Sequence, residues 1–194
     1  MAISQSNGPA NLRMVDVMAA AGKLGGFARS CRFAVTIRPM NAASGLLAEN
    51  DLIYMCDSAE FPGRGFGVTE VRYYGPSLSL PNNTEYQPAN FSFLCRVNSR
   101  ERQFFDDYMD IINPTSNFNF EYARNYWSEV KIYQLGETAA YADQTSPGIT
   151  YSWRLLKAWP ILVSPQQVTW ADSDVLRLQV SFSYKYWDRP DLVK

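Results

Sequence analysis

The sequence contains no histidine. That removes the commonest general base, the commonest metal ligand and the usual member of a nucleophilic triad, and it leaves carboxylates, Lys and Tyr for any acid–base work. Cysteine is scarce. Cys31, Cys56 and Cys95 are odd in number and widely spaced, with no Cys-x-x-Cys; they read as small buried apolar side chains in a reducing compartment. Charge is sparse too, at 19% of 194 residues, where an average domain carries about 25%. The 18 Lys and Arg nearly cancel the 19 Asp and Glu. No cationic stripe appears, and tight electrostatic binding of nucleic acid needs clustered cations. No apolar run approaches the roughly 20 residues of a membrane-spanning helix. Residues 1–9 are polar and lack the apolar core of a signal peptide, so the expectation is a chain made and kept in a cytosol.

What is present is apolar and aromatic. Hydrophobic residues reach 46% and aromatics 14%, many in alternating runs that favour strands. The length suits one substantial domain. Residues 1–10 read as a flexible N-terminal arm, and residues 11–194 as a single domain. Low charge implies that much of the surface ends against something, most simply other copies.

The periodicities give a coarse element order. A short helix is predicted over 11–21, with Leu12, Val15 and Ala19 on one stripe. Phe33, Val35 and Ile37 alternate with polar partners as a half-buried strand closed by Pro39. Residues 41–50 read as a loop, 52–56 as a short apolar strand and 57–63 as a turn. A strand is predicted over 68–74, followed by a Pro/Asn/Ser-rich stretch, 75–88, with Pro81-Asn82-Asn83 at a hairpin or loop tip. Phe91, Phe93, Cys95 and Val97 define one face of the next strand.

The strongest helix follows, with Asn98 and Glu101 at capping-box spacing. Phe104, Phe105, Tyr108, Ile111 and Ile112 recur at helical intervals, and Asn113-Pro114 ends it. Strands are predicted over 126–135 and 149–156, separated by a polar loop at 136–148. The last strand is the clearest, with Leu176, Leu178, Val180, Phe182, Tyr184 and Tyr186 on one face. The sum is a mainly β fold, an antiparallel barrel or sandwich of roughly seven to nine strands with one packed helix.

Candidate chemistry reduces to ordinary structure. Gly63-Arg64-Gly65-Phe66-Gly67 lacks the Lys-Ser/Thr of a phosphate loop and reads as a turn or bulge. Asp106, Asp107 and Asp110 read as a solvated helix face rather than a metal site. Asp172-Ser173-Asp174 reads as a tight turn rather than a calcium loop. Trp127, Tyr133, Trp153 and Trp170 could form a sugar platform, but subunit contacts explain them equally. No catalytic, cofactor-binding or metal-ligating residue is assigned, and the expectation is a protein that is not an enzyme.

The C-terminal third carries a resemblance. Trp159-Pro160-Ile161-Leu162-Val163-Ser164 is followed by Val168-Thr169-Trp170-Ala171-Asp172 and by a long strand ending in Tyr184-Lys185-Tyr186-Trp187. That order resembles the tail tube proteins of contractile-tailed bacteriophages. Gly26-Phe27-Ala28-Arg29, the Cys56 and Phe61-Pro62-Gly63 turn, and the helix after Ser99 agree more loosely. The loops at 41–50 and 136–148 and the end after Arg189 are longer than in the simplest members.

The resemblance implies a tail-tube-like barrel, a structural virion protein whose hexameric rings stack into the inner tube of a contractile tail. The implied partners are itself, the sheath, the baseplate and the tape-measure protein. DNA would pass through the lumen without sequence-specific binding, and assembly would take place in the host cytoplasm. A baseplate tube initiator shares the same fold and ending. A carbohydrate- or ligand-binding β-barrel is the alternative of another class. Residues 75–88 and the segment up to Phe27 are the expected contacts to neighbouring subunits, because both carry apolar residues (Leu78, Leu80, Tyr86; Leu12, Val15, Leu24) with no evident core position.

Overall fold

The computed structural model describes residues 27–39, 49–136, 148–171 and 173–190, together with Met18, Ala19 and Gly22. The N-terminal arm, most of the predicted 11–21 helix and most of the 41–50 and 136–148 loops lie outside these residues; within that predicted helix, Met18 and Ala19 are helical. The chain forms two compact units, Met1–Phe33 with Gln134–Thr150, and Ala34–Tyr133 with Tyr151–Lys194. In the first, Leu135 N donates to Arg32 O at 3.0 Å, Arg32 Nη1 donates to Gly136 O at 3.2 Å, and Gly136 N donates to Gly148 O at 2.6 Å.

The elements run β1 Phe33–Pro39, α1 Glu49–Met55, β2 Cys56–Ala59, β3 Gly65–Val71, β4 Leu78–Glu85, β5 Ala89–Leu94, α2 Arg100–Ile112, α3 Ala123–Tyr126, β6 Ser128–Leu135, β7 Ile149–Val163, β8 Arg177–Ser183 and β9 Tyr186–Asp188. One sheet has the order β1-β6-β7-β8-β5-β2, with β9 also paired to β7. Strands β3 and β4 form a separate two-stranded sheet. Pairings β2–β5, β5–β8, β7–β8, β7–β9 and β3–β4 are antiparallel. The fold is mainly β and antiparallel, with α2 as its packed helix.

The core follows the predicted alternation. Val35 and Ile37 of β1, Val130 and Ile132 of β6, and Leu178, Val180 and Phe182 of β8 are buried. From α2, Phe104, Phe105, Tyr108 and Ile112 are buried as well. Phe105 packs against Phe93 and Phe182 at centroid distances of 5.2 and 6.2 Å, which seats the helix stripe on the β5–β8 ladder. Burial of side chains of this size stabilises by about 1.5–3 kcal/mol each, before entropy is counted. The Tyr108 hydroxyl donates to the Tyr126 carbonyl at 2.6 Å, and burial pushes its phenol up to about 12.

Several predicted elements differ from those observed. Residues 52–55 are helical in α1, and the strand β2 starts only at Cys56; a short apolar run does not distinguish helix from strand by pattern. Asp57-Ser58-Ala59 accordingly belong to a strand rather than a turn. The predicted 68–74 strand is shifted to β3, Gly65–Val71. Pro81-Asn82-Asn83 lie within β4, and the hairpin loop is residues 72–77, where Gly75 takes φ +80°. Pro is tolerated there because, among the described residues, β4 has only β3 as a neighbouring strand. Strand β5 ends at Leu94, so Cys95 is half-buried and Val97 fully exposed at 106%. Residues 123–126 form a helical turn before β6 begins.

Strand β7 is longer than predicted and runs through Trp159-Pro160 to Val163. Its Arg154–Leu156 stretch pairs with β9, and its Trp159–Val163 stretch with β8. Between them Lys157 sits at φ +56°. A register shift beside Pro160 provides the irregular ladder in which a residue without an N–H is accepted. The predicted single apolar face from Leu176 to Tyr186 is interrupted at the same level. Tyr184 is buried, but Tyr186 is exposed and Trp187 half-buried, so the burial phase slips by one residue after Lys185. That slip is the counterpart, on β8–β9, of the left-handed residue on β7.

The expected capping box is replaced by another arrangement. The N-cap residue of α2 is Ser99, in the left-handed region and without a side-chain cap bond. Glu101 is buried, at 1% exposure, and accepts from Arg96 N at 3.1 Å and Arg96 Nε at 2.5 Å. Burial alone would raise its pKa; the hydrogen bonds from the Arg96 backbone and guanidinium outweigh that and hold the carboxyl below its ordinary value.

Candidate assembly surfaces

The β3–β4 ribbon is the part of the molecule that sequence and packing leave unfinished. Every residue of β4 is exposed, and β3 has no buried residue. The register places Val71 opposite Leu78 and Thr69 opposite Leu80 on one face, with Val68 opposite Pro81 and Phe66 opposite Thr84 on the other. Both faces therefore carry apolar side chains. A two-stranded hairpin alone is at best marginally stable in water, and exposed apolar surface on both sides of one marks a contact surface. The aromatic pair at its tip, Tyr73 and Tyr74, is almost fully exposed.

The ribbon is fixed at its root. Phe61 stacks on Trp153 at 4.3 Å, Trp187 Nε1 donates to Gly63 O at 3.2 Å, and Tyr86 meets Tyr184 edge-on at 5.9 Å. Gly67 alone of the glycines in 63–67 is closely approached: the register shifts beside it, and an added Cβ would meet the Asn83 side chain. The expected turn or bulge at 63–67 is instead strand from Gly65 onward, and the register shift leaves Asn82 of β4 unpaired.

A second structured surface lies on the β6–β7–β9 ladder. Arg154 binds Asp188 through two parallel hydrogen bonds, the Nε one at 2.8 Å. Glu129 lies 3.7 Å from Arg154 and 3.6 Å from Lys131. The hydrogen bond from Arg154 is the main reason the Asp188 carboxyl lies below its ordinary value, and burial opposes it. This network ties β9 to β7.

The other sequence candidates are dispersed. Asp106, Asp107 and Asp110 are exposed on α2, and Asp106 is bound by Arg102 at 3.0 Å, as a solvated face would be. Asp172 lies outside the described residues, and Ser173 and Asp174 are exposed. Trp153 is engaged with Phe61 and Tyr151, Trp127 lies under Lys157, and Trp170 is fully exposed at 107%. These aromatics do not share one platform. The cysteines were expected to be buried, yet Cys31 is exposed and Cys56 and Cys95 are half-buried, because β5 ends before Cys95 and Cys31 precedes β1. Burial, then the neighbouring Asp57, pushes the Cys56 thiol up to about 12, away from reactive thiolate. Among the described residues no group of three potential ligands is placed to hold a metal ion. Sequence reasoning missed the extent of the ribbon; the signal was the alternation of Leu78 and Leu80 continuing through Pro81.

The class so defined is an antiparallel β fold with one packed helix that carries an apolar ribbon exposed on both faces. The family comparison agrees with that class. Residues 28–189 match the model of the phage tail tube protein family, and the chain belongs to it. No match is found among curated protein sequences. Among solved structures, a chain of the anti-feeding prophage baseplate has a TM-score of 0.60 at 16% identity, covering 84% of this chain and 95% of that one. A chain of the sheath/tube terminator of the PVC extracellular contractile injection system has a TM-score of 0.57 at 11% identity, covering 81% and 92%. One from the sheath–tube complex of the same system has 0.56 at 12% identity, covering 84% and 90%.

Proposed function

We propose that this chain is a structural virion protein whose hexameric rings stack into the inner tube of a contractile phage tail, the conduit through which DNA leaves for the host. The observation that carries the reading is the β3–β4 ribbon, apolar on both faces and anchored only at its root, on a chain of the tail tube family. A neighbouring copy that covers Leu78 and Leu80 removes apolar area from water at roughly 25 cal/mol per Å2. Contacts of this kind between identical copies close into rings or propagate as filaments according to the rotation they impose. The sheath, the baseplate and a tape-measure protein are the further partners of such a tube.

The second reading is a ring that starts or caps the tube at the baseplate. It is supported by the fold likeness to baseplate and tube-terminator chains. Electron microscopy of the purified full chain separates the two. Long hollow tubes are expected for the major tube subunit. Single rings that never elongate point to the initiator or cap. A particle that remains monomeric at high concentration overturns both.

A further inference from the structure

We infer that residues 184–189 are a clamp that sets the direction of the β3–β4 ribbon, with Arg189 as a positioning residue acting on it through a stack of three rings. The consequence for assembly rests on the tube reading above; the clamp itself stands on the single subunit.

Both legs of the ribbon are held from this one segment. On the leg leading into β3, Trp187 Nε1 donates to the Gly63 carbonyl at 3.2 Å. On the leg leaving β4, Tyr86 meets Tyr184 edge-on at 5.9 Å. The third tie is indirect. The Arg189 guanidinium lies 4.0 Å from the centroid of Tyr151, Tyr151 lies 4.3 Å from Trp153, and Trp153 stacks on Phe61 at 4.3 Å with 21° between the ring planes. A guanidinium is drawn to the face of a ring, and adjoining rings attract one another at these separations. Phe61 is itself 47% exposed, so this column, more than the core, fixes where it sits.

The clamp is fastened to the body in turn. Tyr186, Trp187 and Asp188 pair with Leu156, Leu155 and Arg154 of β7, and Arg154 closes on the Asp188 carboxylate with two parallel hydrogen bonds. Lys185 N donates to Leu156 O at 3.1 Å. Because the burial phase slips after Lys185, it is Trp187 and not Tyr186 that turns inward and reaches the ribbon.

The ribbon needs such a device. Among the described residues β3 and β4 pair only with each other, and neither buries a side chain. Nothing along the length of the hairpin therefore fixes its angle to the body, and a two-stranded hairpin has little stiffness of its own. The angle matters once copies meet. A contact between two different patches closes into a ring only when its rotation closes, and otherwise runs on as an open filament. A ribbon that swings presents its neighbour with many rotations, and a clamped one presents a single rotation.

Hydrogen exchange on the full chain, as dissociated subunits, tests the clamp by comparing Arg189→Ala with the parent. Ribbon amides over 61–71 and 78–86 are expected to exchange about two- to tenfold faster, the factor that follows from losing one contact of cation–π strength. Amides of β5 and β8 and the melting temperature are expected to keep the parent's values, whereas a general loss of stability would move core and ribbon together. Arg189→Lys, which keeps a cation over Tyr151, is expected to restore most of the protection. Lys185→Ala, which removes an exposed side chain of the same segment, is expected to change nothing. In a Phe61→Ala background, adding Arg189→Ala is expected to have no further effect, although separated sites without shared contacts ordinarily add. Unchanged ribbon exchange in Arg189→Ala, additivity with Phe61→Ala, or an equal rise in Lys185→Ala would each overturn the clamp, and so would ribbon amides already unprotected in the parent. By electron microscopy, parent tubes are expected to have one diameter, and Arg189→Ala material a spread of diameters or open arrays. Uniform, parent-like tubes from Arg189→Ala would overturn the link to assembly. If the parent forms no tubes, the tube reading fails, and the exchange measurement still decides the clamp.

Discussion

The α2–β5–β8 core and the β3–β4 ribbon both alternate apolar and polar residues but with opposite fates. In the core, Phe93, Phe105 and Phe182 meet ring against ring, and each is shielded from solvent by the chain's own elements. In the ribbon, Phe66, Val68, Leu78 and Leu80 alternate just as regularly, yet all four stay exposed. The same period-two pattern therefore serves two ends. Where both flanks of a strand are paired and a helix covers its face, the pattern makes a fold. Where one pair of strands extends alone, it leaves the apolar side chains in solvent.

Substitutions that separate stability from assembly sharpen the contrast. Phe105→Ala should cost about 3–5 kcal/mol, because it removes a fully buried ring from the helix–sheet contact; thermal unfolding should drop steeply and assembly with it. A melting curve close to the parent's would mean that α2 is not held by this packing.

Glu101→Gln should cost about 1–3 kcal/mol at neutral pH, by weakening charge-assisted bonds to Arg96 at a buried site. Its pH dependence has a definite sign. The folded-state pKa lies below the unfolded one, so the contribution is complete above the unfolded value, about 4.3, and fades as pH falls through the lower folded value. Acid titration of stability should be shallower in Glu101→Gln than in the parent, and identical slopes would remove Glu101 from the acid response.

The smallest effect on stability, and the most selective one on assembly, is expected from Leu78→Asp with Leu80→Asp. Both sites are exposed, so the monomer should change by no more than about 0.5 kcal/mol, while tubes or rings fail to form. Normal assembly by this double variant would break the contrast between core and ribbon.

Much of the fold was legible in the sequence for a physical reason. Strands β1, β6 and β8 and helix α2 each bury a single face, and one buried face writes its period into the chain. The misreadings fall where that condition lapses. The run at 52–56 was too short to distinguish helix from strand. Trp159-Pro160 looked like a stop because proline rarely sits within a sheet, but a register shift lets it stay. The candidate surface was legible only in part. The stretch from 75 to 88 was marked by apolar residues lacking a core position, whereas its pairing with β3 depends on register, which local composition does not encode. Tyr186 was assigned to the inner face because nothing in the spacing announces the slip at Lys185.

That slip, with Lys157 opposite, means that one unbroken backbone belongs to two ladders. Strand β7 holds β9 with its Arg154–Leu156 portion and β8 with its Trp159–Val163 portion. A push along the strand therefore travels through peptide bonds from one ladder to the other, with no row of hydrogen bonds left to shear between them.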